Sequence, residues 1–335
     1  MLSWLGSIFR SLAEGLLILA GVALVLFLLF YAIPNEEVGE PQVPLSEQFL
    51  SYANDLSFIS YIDYREEADD WKVWFELPFI KGRLVAKWPY LGRSESTGER
   101  VSALIFGAIP ETLTLVSAAL IISVFFGVMF GTMQSRLQIK WLQLVITLIS
   151  SSGLAIPSFV FAIFLAWLFG FLWSDFTGLN MTGSLFTYDV YAGKDRLTLS
   201  NVILPALALS VRPMAILAQL MTSKIDEIYQ LDYIRTARSN GLNENAILWK
   251  HAMPNAVSTM FSSIGSWFVS LFIGGVFVEF IFGWKGFGHI VINAIKYQDF
   301  RLIMGVTLVV SVTYILVNTI LEFLYPLLDP SLKKA

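Results

Sequence analysis

Long apolar runs without charge constrain this chain more than any other feature of its sequence. A helix crosses the roughly 30 Å of hydrocarbon in a bilayer with about 20 mostly apolar residues. Runs of this kind, interrupted by at most one charge, predict six membrane spans: Gly15–Ile33, Thr112–Ser135, Trp141–Ser174, Leu197–Ser223, Ala252–Val278 and Leu302–Leu321. The third run is longer than one span needs, and Gly153 and Pro157 are expected to break or kink it. The predicted fold class is an all-α integral membrane protein.

Composition agrees with a bilayer as the solvent. Hydrophobic residues make up 56% of the 335 residues and charged residues 14%, whereas a soluble domain carries about 25% charged residues. The net charge of −4 argues against a nucleic-acid partner. The absence of cysteine excludes disulfides and thiolate metal sites. The two histidines, His251 and His289, are too few for a histidine-rich metal centre, so no metal site is expected.

The runs divide the chain into an N-terminal span (residues 1–33), an extracytoplasmic insertion (34–101) and a five-span domain (102–335). A cleaved signal peptide is the alternative for the first run, but that run is too long and no small-x-small cleavage site follows it. The insertion contains Trp71, Trp74 and Trp88 among many acidic residues, and we expect it to be a small, partly ordered elaboration rather than a linker.

Basic residues in the short loops predict that both termini are cytoplasmic, because cytoplasmic loops carry an excess of Lys and Arg. With this orientation the basic residues of the cytoplasmic segments are Arg10, Arg136, Lys140, Lys224, Arg235, Arg238, Lys250, Lys333 and Lys334. The short outer loops contain a smaller set, namely Lys194, Arg196, Lys285, Lys296 and Arg301.

One cytoplasmic segment, residues 222–255, is too long for a plain connection between spans and is here called the charged loop. It contains most of the stretch "DYIRTARSNGLNENAILWKHAMPNA", which begins at Asp232. The pattern predicts two short helices joined at Gly241, with Asn243 as the N-cap of the second, Glu244 in its first turn and Pro254 near its end. A DNA-reading helix-turn-helix would need a free basic helix, whereas this one is tethered between spans. A solvated hairpin and a docking element for a cytoplasmic partner both remain open.

The charged loop resembles the signature loop of ATP-binding-cassette (ABC) importer permeases, in the dipeptide/oligopeptide/nickel branch. The matching positions are Ala237, Gly241, Met253 and Pro254, and Arg235-Thr236-Ala237 is typical of the peptide branch. Four further blocks are similar in the same order: "YLGRSESTGERVSALIFGAIPETLTL", "LAIPSFVFAIFLAWL", "VFVEFIFGWKGFGHIVINAI" and "YPLLDPSLKK". The chain departs from the branch after the first span, where it reads "IPNEEV", and at Trp284-Lys285, where a proline usually precedes the glycine.

This resemblance implies a permease subunit for di- or oligopeptides or a related small solute, in the inner membrane of a bacterium and in contact with lipid. The expected partners are a second homologous permease, two ABC ATPase subunits and an extracytoplasmic solute-binding protein. ATP and magnesium are expected on the ATPases and no cofactor on this chain, which has no phosphate-binding G-x-x-x-x-G-K-[ST] loop. The resemblance assigns the ATPase contact to the charged loop, through Arg235, Thr236, Ala237, Arg238, Gly241, Leu242, His251 and Pro254.

Other residues are candidates for the solute path and for an outer gate. A charge within a span is costly, so Arg212 is expected to face protein or water; it either lines the path, as Pro157 is also expected to do, or pairs with another span or with the partner permease. Glu279, with Gly286 and Gly288 in the outer loop, could serve as a cap, a binding-protein contact or a gate. His251 is expected to pack within the charged loop rather than to bind metal.

Three alternatives come from other classes. A stand-alone secondary transporter or channel is the first, but such proteins often contain internal repeats, and none is found here. An intramembrane enzyme would need a motif such as H-E-x-x-H or G-x-S-x-G, which is absent. A receptor would need a soluble output domain, and the charged loop is the longest cytoplasmic segment.

Overall fold

The computed structural model describes residues 2–31, 44–63, 73–78, 82–136, 140–189 and 193–328. Its α-helices are α1 (Leu2–Tyr31), α2 (Leu45–Leu56), α3 (Val101–Arg136), α4 (Lys140–Ala155), α5 (Ser158–Trp167), α6 (Ser174–Thr177), α7 (Ser200–Tyr229), α8 (Asp232–Ser239), α9 (Glu244–Ile247), α10 (Met253–Gly274), α11 (Val276–Phe282), α12 (Phe287–Lys296) and α13 (Phe300–Leu328). Its strands are β1 (Ile59–Asp63), β2 (Val73–Pro78), β3 (Gly82–Lys87), β4 (Phe186–Asp189) and β5 (Lys194–Leu197). The departure after the first span and the closing Asp329–Pro330 lie outside these residues.

The apolar runs form helices, as the sequence predicts. Among the described residues, three helical stretches are long and apolar enough to cross a membrane by themselves: Val101–Arg136, Ser200–Tyr229 and Phe300–Leu321. Two helix pairs, α4 with α5 and α10 with α11, pass the same test together and are bent by more than 40° at a break. Within α1, Ala13–Leu29 is a shorter apolar helix. The chain is therefore an all-α membrane protein, and its described part adds two small sheets.

Pro157 lies at the break between α4 and α5, as predicted. It is the N-cap residue of α5, with an extended ψ of 138°, and its carbonyl accepts the amides of Val160 and Phe161. Proline suits this position because it cannot donate to the preceding helix. Gly153, one turn earlier, permits close packing instead: a Cβ there would lie 3.2 Å from the Val211 carbonyl oxygen of α7.

The chain divides into two compact units. The first comprises residues 1–107 and 293–315. Within it, the described parts of the insertion form α2 and an antiparallel three-stranded sheet in the order β1-β3-β2, with Ile59 opposite Ala86. Leu26, Met304 and Leu308 form the centre of a small apolar cluster.

Asp299 fixes the first turn of α13 in this unit. Its Oδ1 accepts the Leu302 amide at 3.0 Å, while Oδ2 accepts the hydroxyls of Ser94 at 2.5 Å and Ser96 at 2.8 Å. Burial disfavours the charged carboxylate, but these hydrogen bonds outweigh it and hold the pKa of Asp299 below its ordinary value. A buried carboxylate with this many donors is a helix cap rather than a free charge.

The second unit comprises residues 108–292 and 316–335, and α7 lies at its centre. Helices α4, α5 and α10 all pack on α7. Gly127 and Gly131 of α3, one turn apart, also approach it closely: a Cβ on Gly131 would lie 2.5 Å from the Ala218 carbonyl oxygen. Small residues at this spacing let membrane helices pack backbone to backbone.

Candidate functional site

The charged loop starts later than predicted and is compact. Helix α7 continues past Ser223 to Tyr229, so that Ile225 and Ile228 belong to the end of α7. Helix α8 follows, Gly241 makes the turn with a left-handed φ of 82°, and α9 begins directly afterwards. The Asn243 side chain accepts the Ala246 amide at 2.7 Å, which confirms the predicted N-cap.

The chain does not break at Pro254, which was predicted to lie near the end of the second short helix. Helix α9 continues through a π-helical turn, Leu248–Ala252, directly into α10, with Pro254 in the first turn of α10. A proline within a helix removes one hydrogen bond and crowds the carbonyl four residues earlier. The wider π-turn accommodates the proline without ending the helix.

The charged loop and the ends of α7 and α10 pack around one shared apolar core. Buried side chains from α7, α8, α9, the π-turn and α10 form one cluster, which includes Met221, Ile225, Ile228, Ile234, Ala237, Ile247, Ala252, Ala256 and Met260. Ala237 is only 7% exposed, so its small side chain serves close packing of α8 within the chain. The loop is therefore part of the same packed body as α7 and α10.

Glu244 links the two short helices to the end of α3. One carboxylate oxygen accepts the Arg238 Nε at 2.8 Å, and the other accepts an Arg136 guanidinium nitrogen at 3.1 Å. Arg136 also lies over the Tyr229 ring, 4.4 Å from its centroid. The hydrogen bond from Arg238 lowers the pKa of Glu244 from its ordinary value, although partial burial opposes the shift. The cluster is exposed, so solvent screens its ion pairs and each contributes little to stability.

The remaining loop residues occupy different environments. Arg235 is exposed and pairs with Asp232 at 3.3 Å, and the Thr236 hydroxyl donates to the Asp232 carbonyl. The His251 side chain is half-buried, and its ring lies 6.4 Å from that of Tyr233. No group of three or more potential metal-ligating side chains occurs among the described residues. Four large apolar side chains in or beside the short helices remain exposed: Leu231, Tyr233, Leu242 and Trp249.

Glu279 lies at the other end of the spans and is 2% exposed. Its Oε1 accepts the Thr112 hydroxyl at 2.8 Å, and its Oε2 accepts the Gly288 amide at 2.6 Å. The Thr112 hydroxyl in turn accepts the Phe287 amide at 2.8 Å. Together Glu279 and Thr112 cap the start of α12. Of the roles left open for Glu279, the geometry supports the cap.

Gly286 and Gly288 make this cap possible. A Cβ on Gly286 would overlap the Thr112 hydroxyl and the Glu279 carboxylate, and one on Gly288 would lie 2.6 Å from the Val276 carbonyl oxygen. Sequence reasoning missed Glu111, which is buried beside this site. Its carboxylate accepts the Leu185 amide at 3.0 Å, and its carbonyl accepts the Trp284 Nε1 at 2.9 Å. Glu111, Thr112, Glu279 and Trp284 are here called the glutamate cluster.

Arg212 projects from α7 as an exposed side chain. Within the described residues it has neither a hydrogen-bond nor an ion-pair partner, so pairing with another described span of this chain is not what accommodates its charge. Pro157 is exposed at the α4–α5 break. The described contacts do not bring these two predicted path residues together.

Comparison with known proteins gives matches over most of the chain. A family model described as "Binding-protein-dependent transport system inner membrane component" matches residues 101–334. The dipeptide transport system permease protein DppB of Alkalihalophilus pseudofirmus is 29% identical over 256 residues, covering 72% of this chain and 77% of that protein. The oligopeptide transport system permease protein AppB of Bacillus subtilis is 28% identical over 329 residues, covering 97% of this chain and 98% of that protein.

Among solved structures, the MetNI methionine ABC transporter in an inward-facing conformation is similar in fold. The TM-score is 0.52 and the identity is 14%, over 68% of this chain and 97% of that chain.

Proposed function

The chain belongs to the family of binding-protein-dependent transport system inner membrane components, and on that premise we propose that it carries di- or oligopeptides and receives its driving force through the charged loop. It is the permease subunit of an ABC importer rather than an enzyme. The names of DppB and AppB, similar over 72% and 97% of this chain, support a peptide as the solute. ATP is hydrolysed, in this proposal, on two separate ATPase subunits.

The attachment of the charged loop to the spans is the observation that carries this proposal. Helices α8 and α9 share one buried core with α7 and α10. A packed core transmits displacement because it has little free volume in which to deform. A push on α8 therefore moves α7 and α10 as well, which is what alternating access requires of a docking element.

The outer surface of the loop suits a protein partner. It exposes Tyr233 and Trp249, together with Arg235 and Arg238, whose ion pairs lie on the surface. Aromatic residues and arginine are the side chains that contribute most to protein interfaces. An ATPase groove with apolar pockets and an acidic rim would complement this surface, and the arginines could exchange Asp232 and Glu244 for acidic residues of the partner.

The charged loop faces the cytoplasm in this proposal, and both chain termini lie on the same side as the loop. The hairpin of β4 and β5 and the glutamate cluster then lie towards the solute-binding protein. A second homologous permease completes the path.

Co-purification tests the docking role. The tagged chain is purified in mild detergent from its native host, and mass spectrometry identifies the proteins that accompany it. An ATPase and a second permease are expected. Trp249→Ala should reduce ATPase recovery at least about ten-fold, while Trp173→Ala, which removes an exposed tryptophan next to α6, should not. A chain recovered alone that transports without ATP would contradict the proposal.

A further inference from the structure

One half of α7 carries a line of exposed polar residues. Arg212, Gln219, Ser223 and Asp226 are all exposed, and at 100° per residue they fall within a narrow sector of the helix. These four residues are here called the polar stripe. The helix that carries them is otherwise the most enclosed of the long apolar helices: 67% of its most apolar stretch is buried, against 28% for α3 and α13.

The polar stripe ends at Arg212. On the same side of α7, the residues that precede it towards the β4–β5 hairpin are buried, namely Asn201, Pro205 and Ala208. Arg212 is therefore the member of the stripe farthest from the charged loop. At a rise of 1.5 Å per residue, it lies about 18 Å along the helix from Lys224, a charged residue near the end of α7. The exposed face opens towards the charged loop and is closed towards the hairpin.

This face does not suit lipid and calls for water or a protein surface. Polar and charged side chains in the hydrocarbon region are costly unless they face water or protein. The opposite face of α7 differs, because its exposed residue Ile203 is apolar and suits lipid. Asp226 is held by the Ser135 hydroxyl at 2.5 Å, whereas no described residue pairs with Arg212. The hydrogen-bond donors of the Arg212 guanidinium are thus unused within the described part of the chain.

We propose that Arg212 is the anion-recognition group of the translocation path and that it binds the terminal carboxylate of the transported peptide. The inference rests on the proposed function, which makes the solute a peptide. A guanidinium matches a carboxylate through two parallel hydrogen bonds, a geometry that a neutral amide terminus cannot reproduce. Gln219 and Ser223 offer weaker polar contacts between Arg212 and the charged loop, and the negative Asp226 disfavours retention of the anion at the exit.

Competition between two matched peptides tests this assignment. The complex carrying tagged wild-type chain is reconstituted with ATP inside vesicles, oriented for uptake, and uptake of labelled trialanine is competed with trialanine or with trialanine amide. Wild type should prefer the free carboxylate at least about ten-fold. Arg212→Gln should reduce that preference to within about two-fold, Arg212→Lys should retain part of it, and Lys194→Gln, which removes a positive charge from β5, should leave it intact.

Two results of the competition would overturn the proposal: a wild-type complex that does not distinguish the two peptides, or an Arg212→Gln complex that still does. A wild-type complex that takes up no peptide would instead contradict the proposed solute class.

Cysteine labelling tests, independently of uptake, whether the polar stripe is accessible to water. The chain has no cysteine, so Gln219→Cys, Ser223→Cys and the lipid-facing control Ile203→Cys each introduce a single thiol. In the assembled complex, a membrane-impermeant maleimide added from the charged-loop side should label Gln219→Cys and Ser223→Cys but not Ile203→Cys. Excess trialanine should slow the labelling of Gln219→Cys. If neither stripe position is labelled, the partner permease covers this face and Arg212 pairs with it, which refutes the proposal even if Arg212→Gln fails to assemble.

Discussion

Glu244 and Glu279 each hold helices together, but in opposite environments. Glu279 is 2% exposed, and its carboxylate is fixed by the Thr112 hydroxyl and the Gly288 amide. The Glu244 side chain is 46% exposed and is shared between two arginines on the surface. Removing a hydrogen-bond partner from a buried carboxylate costs much stability. An exposed ion pair contributes little free energy, so its partners can be replaced by others.

The difference indicates which of the two sites can exchange its contacts for those of another protein. The glutamate cluster is satisfied from within the chain and fixes α3 to the start of α12. The charged loop has its rigid core inside and its exchangeable charges outside. A partner can therefore replace the loop's surface contacts at little cost while the core carries the motion inward.

The largest effect is expected at Gly288. Alanine there would place a Cβ against the Val276 backbone, which cannot move aside as a side chain can. Overpacking of this kind costs about 3 kcal/mol, so Gly288→Ala should clearly lower the melting temperature in detergent. Gly274→Ala is the matched control, because a Cβ at Gly274 meets nothing within 4 Å. Equal melting temperatures for the two variants would show that the α12 cap is not tightly packed.

Thr112→Val tests the buried hydrogen bonds of the same cap. Valine has nearly the shape of threonine, but it leaves the Phe287 amide without its acceptor and Glu279 without one donor. The expected loss is about 2 kcal/mol of unfolding free energy. Thr114→Val removes a hydroxyl that bonds only the Pro110 carbonyl of its own helix and should cost less than about 0.5 kcal/mol. If both variants melt alike, Thr112 does not hold the cap.

Gly241→Ala tests the turn of the charged loop. Nothing lies within 4 Å of an added Cβ, so the cost arises only from the left-handed backbone and should be about 1 kcal/mol. Gly241→Asn should be closer to wild type, because asparagine tolerates this conformation. ATP-driven uptake is measured beside stability. A loss that is as large for asparagine as for alanine would mean that the partner, and not the backbone, excludes side chains there.

The smallest effect is expected for Glu244→Gln, at less than about 1 kcal/mol at pH 7. The pKa of Glu244 is lowered in the folded chain, so its contribution is present above the ordinary carboxyl pKa of about 4.3 and is lost as the pH falls through the lower folded value. Melting curves of wild type and variant should therefore converge on acidification and in high salt. A difference that persists in molar salt would show that Glu244 is not a surface ion pair.

Local signals in the sequence predicted the features that depend on neighbouring residues. The apolar runs predicted the long helices, Pro157 predicted the break after α4, and Gly241 with Asn243 predicted the turn and the cap between the short helices. Each of these depends on backbone chemistry within a few residues. The end of α7 was predicted too early, because the charges after Ser223 lie on an exposed face while Ile225 and Ile228 continue the buried one.

Contacts between distant residues could not be predicted from one sequence. Thr112 and Glu279 are separated by 167 positions and Arg136 and Glu244 by 108, and no local pattern indicates that either pair meets. Thr112 was named only as the first residue of a predicted span, and Glu111 was missed because a glutamate at the start of a span usually faces water. The exposure of Arg212 depends on which helices pack around α7, which the sequence of α7 alone does not specify.

Photo-crosslinking shows whether the charged loop is the ATPase docking element. Benzoylphenylalanine replaces Tyr233 on α8 in one variant and Tyr188 on β4 in the other, both exposed aromatic positions, and crosslinked proteins are identified in native membranes. We expect an ATPase adduct from position 233 and none from position 188. An ATPase adduct from position 188 alone, or none from position 233 in membranes that still show ATP-driven uptake, would contradict it.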